Sequence, residues 1–222
     1  ITYYWRITTI YAGQQIKTPS AIFHLPDDTA VYVDANSTAA TQVGNKTSPY
    51  KTIQAAIENA HLLRKQVTTV AMTIMVAKGA YVDAVSLKQG ISLKGGYEAG
   101  GWTRNIQVNT TTIIGAVDSA IRGDASITST TLIDGFTIIG GNAPSNAGIS
   151  LSDASPTITN NTISGGKGTN SYGITNGGAA TPIIMNNTIR GGSGSTASSG
   201  IYNTGGGPTI TNNTIDGGNG NY

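Results

Sequence analysis

PTITNNTISGG runs from Pro156 to Gly166, PIIMNNTIRGG from Pro182 to Gly192, and PTITNNTIDGG from Pro208 to Gly218. Successive copies start 26 residues apart, so one structural unit recurs along this part of the chain. A second marker, Gly-Ile, recurs at Gly148-Ile149, Gly173-Ile174 and Gly200-Ile201. One step earlier, LIDGFTIIGG from Leu132 is a degenerate copy, with Gly135 standing where Asn160 stands in the next. Ile158 and Ile163 are five residues apart, an odd number, so on one continuous strand they would face opposite sides. Both positions are apolar in every copy, which places both in the core and requires a bend between them at Asn160-Asn161. Asn tolerates the left-handed conformation that such a bend needs, and Gly does so without penalty.

Gly-Gly after each bend marks a second corner, and Gly-Ile is expected to open a third short strand. Three strands and three corners in about 26 residues describe one coil of a right-handed parallel β-helix, an all-β solenoid whose coils stack about 4.8 Å apart. The expected ladders are Ile158/Ile184/Ile210, Ile163/Ile189/Ile215 and an asparagine column Asn160/Asn186/Asn212, whose amides bond from coil to coil as in stacked sheets.

Working outward, the only helical periodicity lies just upstream. Pro49 after Ser48 opens a run with Ile53, Ala56, Ile57, Ala60 and Leu63 on one face, a helix expected over 49–65 and placed to close the first coil. Residues 67–97 read as a strand, a turn and two more strands. The organisation is thus an extension over 1–30, a cap over 31–66 and a solenoid over 67–222, with its clearest repeats in 132–222.

Composition agrees. Charged residues are 11% of the 222, against roughly 25% in an average domain, while 32 Thr and 18 Asn supply the surface polarity. That low charge excludes helical bundles and coiled coils, and also disorder, which needs high charge and few β-branched residues. The net charge of +2, with no basic run longer than Arg64-Lys65, leaves no footprint for nucleic acid. No apolar run is long enough to span a membrane. No Cys is present, which fits a bacterial or phage extracellular protein and is equally compatible with the cytosol; the expectation is a secreted or cell-surface protein.

With VYVDAN (31–36), SPYKTIQAAIENA (48–60), IMVAKGAYVDAVSLKQGISLKGGY (74–97) and the PTITNNTI repeats in view, residues 31–222 resemble the pectate-lyase-like right-handed β-helix superfamily. More narrowly, they resemble bacterial secreted or surface β-helix proteins that begin with a TIQ-A-I capping segment. The resemblance implies the fold. For function it spans lyases, hydrolases, adhesins, phage tailspikes and inert shafts. Lyase relatives carry long loops and an Asp-rich calcium site, neither of which this chain shows.

A β-helix lyase or glycosidase needs two or three carboxylates converging on one groove. Eleven carboxylates are spread over the chain. Asp118 and Asp124 flank Arg122 and read either as a sugar site or as a solvated turn with a local ion pair; Arg122–Asp124 also spells RGD. Tyr97 and Trp102 with Arg104 read either as an aromatic platform for a glycan, or with Trp102 closing the core beneath a loop. His24 and His61 lie 37 apart without a ligand pattern, and neither a metal site nor a cofactor is expected. Arg190 and Asp216, one coil apart, suggest a surface ion pair.

Two ends matter. The chain stops one corner after a complete repeat with nothing to blunt the last coil, and Ile210 and Ile215 would face outward there. Residues 1–11 alternate, with Tyr3, Trp5, Ile7 and Tyr11 on one face, as a half-buried strand able to pair with a neighbour. The expectation is a non-catalytic extracellular structural or adhesive β-solenoid of a bacterial surface. It would self-associate through its open end and N-terminal strand into a filament, or form part of a longer solenoid. The alternative is a polysaccharide lyase, a glycoside hydrolase or a tailspike-like glycan-binding module.

Overall fold

A computed structural model describes residues 29–66 (the side chain of Gln66 excepted) and 71–220. Before residue 29 it describes only the backbones of four strands, Thr2–Trp5, Thr8–Tyr11, Gln14–Lys17 and Ala21–His24. From residue 30 onward the strands form three parallel sheets of seven, six and six members. One coil takes a strand in each sheet in turn, as in Thr157–Thr159, Thr162–Ser164 and Lys167–Gly177. Six such coils follow one another, the first starting at Met72–Ala77, and Ala30–Val33 adds a leading strand to the first sheet. The fold is a parallel β-helix. A parallel strand that crosses over to its neighbour does so with a right-handed connection.

Each sheet turns one column of side chains inward. In the first sheet the column is Val31, Ile74, Leu93, Ile133, Ile158, Ile184 and Ile210, in register throughout. In the second it is Tyr81, Ile113, Ile138, Ile163, Ile189 and Ile215. The third contributes Val85, Ile121, Ile149, Ile174 and Ile201. All but the last-coil residues Ile210 and Ile215 belong to a single core, against which Ile201 packs half-buried. Each fully buried side chain of this size contributes roughly 1.5–3 kcal/mol.

The bends behave differently from the expected asparagine column. Asn160, Asn186 and Asn212 do take the left-handed conformation, with φ of 55°, 56° and 54°. These residues, however, are exposed and their side chains form no continuous ladder; Asn160 alone reaches an earlier coil, donating to Asp134 Oδ1. The ladder is formed by the residue that follows each of them. Asn161 Nδ2 donates to the carbonyls of Ile133 and Thr159 at 3.0 and 2.7 Å and to Oδ1 of Asn187 at 3.1 Å. Asn187 repeats the pattern with Ile158, Met185 and Asn213 at 2.9, 2.8 and 3.0 Å. Each Oδ1 also accepts the backbone N–H of the preceding coil's bend: Phe136 to Asn161, Asn161 to Asn187 and Asn187 to Asn213, at 2.8–2.9 Å. The physical reason is a division of labour. The first Asn turns the chain, and the turn swings the next side chain inward, where only a group that both donates and accepts can serve the corner's backbone.

Two further expectations are corrected. Gly-Ile does not open the third strand but lies within it, since those strands begin at Ser145, Lys167 and Ser193. The glycine is there for close approach: a Cβ at Gly148 or Gly173 would stand 2.7 Å from Cγ2 of Ile163 or Ile189. Within 67–97, residues 67–70 lie outside the described residues, and the rest holds four strands rather than three.

The helix spans Ile53–Gln66, four residues later at its start than expected. Thr52 caps it, its hydroxyl accepting from Ala55 N–H at 3.3 Å. The residues before it are held elsewhere. Tyr50 bridges to Val33, donating to the Tyr32 carbonyl at 2.9 Å and accepting from Asp34 at 2.8 Å, while Tyr32 N–H donates to Gly44. The free edge of the leading strand is therefore covered by chain rather than left open. Ile53, Ala56, Ile57 and Ala60 then close that end of the core.

At the other end, Ile210 and Ile215 are 42% and 47% exposed. The expected single strand over 1–11 is instead two strands paired within their own segment, Thr2–Trp5 with Ala21–His24 and Thr8–Tyr11 with Gln14–Lys17, both antiparallel. Ile7 and the side chains of Tyr3, Trp5 and Tyr11 lie outside the described residues.

The two asparagines of one bend should separate cleanly on mutation. Asn187→Leu strands buried backbone groups and is expected to cost roughly 1–3 kcal/mol for each group left unpaired. Asn186→Gly keeps the left-handed turn and should change stability by no more than about 0.5 kcal/mol. Urea unfolding of the two variants checks this, and the reverse ranking would return the ladder to Asn186.

Candidate functional site

The strand Ile91–Tyr97 leaves the first sheet into a loop that folds back on that sheet's outer face. Tyr97 and Arg104 pair as an antiparallel bridge, and Glu98 and Trp102 close the turn between them. Trp102 sits at φ 53°, unusual for so bulky a side chain. Its indole N–H donates to the Lys46 carbonyl at 3.2 Å, and its ring meets Tyr32 edge-on at 4.7 Å. The Arg104 guanidinium lies 5.9 Å from the Tyr97 ring centre and 2.8 Å from the Asp134 carboxylate, and its Nε donates to the Gly95 carbonyl at 2.8 Å. Burial pushes the Tyr97 hydroxyl's pKa up, with Arg104 acting against it.

Tyr97 and Trp102 are only 7% and 8% exposed. They close a small second core with Ala30, Tyr32 and Ala77 and offer no open ring face, which corrects the reading of an exposed glycan platform. A cleft of about 320 Å³ opens beside them, lined also by Thr29, Thr73 and Met75.

Asp118 and Arg122 form an ion pair across the corner between the second and third sheets. The hydrogen bond from Arg122 holds the Asp118 carboxyl below its usual value; burial opposes the shift and the Ser119 N–H reinforces it. Asp124 faces Ser126, whose hydroxyl and N–H lie 2.5 and 2.9 Å from Oδ1 and lower its pKa. The suspected two-carboxylate site therefore resolves into one ion pair and one turn cap.

The same holds along the chain. Asp34 and Asp153 accept backbone N–H groups of their own or the next turn, and Asp83 accepts the helix's Gln54 N–H at 3.1 Å. Asp134 and Asp216 pair with Arg104 and Arg190. Asp27 and Asp28 lie outside the described residues. No group of three potential metal ligands occurs among the described residues.

Two features escaped the sequence. On the outer face of the third sheet, Tyr172 and Tyr202 stack with centroids 4.7 Å apart and planes 14° off parallel, and Tyr202 is 45% exposed. Tyr202 continues an in-register outward row of Ser86, Arg122, Ser150 and Thr175. Because the two tyrosines are 30 residues apart, the 26-residue alignment hides them. Beside this sheet a groove of about 380 Å³ runs along the Gly-Gly corners, flanked by Lys167 and Arg190.

Residues 36–221 match the model of a family described as a protein of unknown function, DUF1565. No curated protein and no solved structure matches the chain.

The two ion pairs should differ in worth. Arg104→Met leaves the nearly buried Asp134 carboxylate without its partner and is expected to destabilise by about 2 kcal/mol or more. Arg122→Met removes an exposed pair worth at most about 1 kcal/mol. The lowered pKa of Asp118 means that this smaller contribution is present above pH 3.8 and disappears as pH falls through the folded-state value. Denaturation of both variants at neutral and acid pH measures it: the deficit of Arg122→Met should vanish in acid.

Proposed function

We propose that this chain, which belongs to the DUF1565 family, is a non-catalytic structural or adhesive β-solenoid, secreted or held at a bacterial cell surface. The observation that carries the reading is the use of its acids: each described aspartate is engaged by a turn, a helix end or a single basic residue, and none converges with another. Hydrolysis or elimination on a polysaccharide needs such convergence. The charge-poor, cysteine-free surface suits an extracellular shaft.

The coil of 209–220 supports association along the axis. Its Ile210 and Ile215 are half exposed where the same columns are fully buried in earlier coils, and its strands have one neighbour each. Another layer, whether further coils or a second subunit, would bury them and extend the solenoid. The helix covers the core at the opposite face, so association along the axis would use this one.

A glycan-binding module, in the manner of tailspikes, is the second reading, favoured by the stacked Tyr172–Tyr202 pair on an otherwise Ser/Thr-rich face. Aromatic rings with one open side suit sugar rings.

Incubation with pectate and alginate, with and without calcium, is expected to release no unsaturated or reducing sugar; steady release that Asp118→Asn abolishes would overturn the non-catalytic reading. Light scattering should show the chain associating, and Ile210→Asp with Ile215→Asp should return it to a 22.7 kDa monomer. Retention on an immobilised polysaccharide that Tyr202→Ala removes would favour the second reading instead.

A further inference from the structure

A chain without cysteine has no disulfide with which to tie its coils together. One pair of side chains has the geometry for a different covalent tie. Tyr172 lies in the strand Lys167–Gly177 of the fourth coil, and Tyr202 in the strand Ser193–Asn203 of the fifth. Their direct partners across the two strands are small, Ser199 opposite Tyr172 and Thr175 opposite Tyr202. The rings lean over these and meet each other, with centroids 4.7 Å apart and planes 14° off parallel. That offset stack puts carbons of the two rings in van der Waals contact. Tyr202 presents its ring to solvent and Tyr172 is half-buried, whereas Tyr32, Tyr81 and Tyr97 are enclosed.

We propose that Tyr172 and Tyr202 form an oxidative modification site, at which a peroxidase-type oxidant joins them as dityrosine. Each phenol gives up one electron and one proton, and these together reduce one hydrogen peroxide to two waters. The two phenoxyl radicals carry part of their unpaired spin on the ortho carbons and join there through a carbon–carbon bond. The two ortho hydrogens then pass to the oxygens and restore both phenols, so the chain ends lighter by two hydrogen atoms. Held at stacking distance in one chain, the rings meet at an effective concentration far above any reached between dissolved molecules. The χ2 torsion of tyrosine is soft enough for them to turn from the stack into the bonded arrangement. The bond closes a loop between residues 30 apart and staples the fourth coil to the fifth, next to the uncovered last coil. Opening that starts at the last coil is thereby stopped at the staple.

The test treats the whole chain, held dilute, with hydrogen peroxide and a haem peroxidase. The monomer is expected to gain the blue fluorescence of dityrosine and to lose two hydrogen atoms in mass. Trypsin cuts after Lys167 and Arg190, which puts the two tyrosines in separate peptides, and fragmentation of the joined peptides should place the link at Tyr172 and Tyr202. Tyr172→Phe and Tyr202→Phe should each lower the monomer yield about tenfold or more, as should unfolding in urea before oxidation, while dilution of the folded chain by about tenfold should leave it unchanged. The cross-linked chain should melt about 5 °C or more above the untreated one. An unmodified monomer, cross-links confined to dimers, or a monomer product that survives Tyr172→Phe would overturn the proposal.

Discussion

A left-handed turn at one asparagine in each coil, with the next asparagine's amide inside the corner, is the arrangement on which the solenoid depends. Without the turn, Ile158 and Ile163 would lie on opposite faces and one of each pair would meet water. With it, each coil buries apolar side chains from two sheets across a two-residue corner. The corner then needs its own polar groups satisfied, and Asn161, Asn187 and Asn213 do this by linking each coil to the next. Hydrogen bonding and burial therefore act on the same spacing. A coil that slipped in register would lose its isoleucine column and its amide contacts together.

Charge is distributed in keeping with that frame. The described aspartates do not face a common groove; they terminate turns, hold the helix to the first coil through Asp83, or pair singly with an arginine, as Asp134 does with Arg104. Arg104 in turn secures the loop that carries Trp102, so the second core on the outside of the first sheet is tied to the third coil by one nearly buried carboxylate. Asn160 reinforces that carboxylate at 2.8 Å from the next coil, which gives this exposed asparagine a role beyond turning the chain.

The ends of the rod are unequal. At one, the loop around Gly44 and Tyr50 covers the leading strand and the helix covers the core. At the other, the last described coil shows its interior columns to solvent. The described coils are therefore covered on their first face and uncovered on their last. The outward row ending at Tyr202 and the glycine-lined groove both run along the axis toward that face.

Much of this was readable from the repeat. The period, the three-strand coil, the isoleucine columns and the left-handed bend all follow from side-chain alternation and from which residues tolerate positive φ. These are local rules that any single coil obeys. In the degenerate copy it is Phe136, which the structure buries, that aligns with Asn161. What the sequence could not show was which way a polar side chain faces at a corner, because Asn is at home both in water and in a buried hydrogen-bond network. Nor could it show that Tyr50 would be claimed by the edge of a strand before a helix could start. The enclosure of Trp102, the separate engagement of Asp118 and Asp124, and the meeting of Tyr172 with Tyr202 across a shifted register were likewise decided by contacts between coils. Periodicity along one chain determines each coil; only the stacking of coils determines which polar and aromatic groups are left to face the outside.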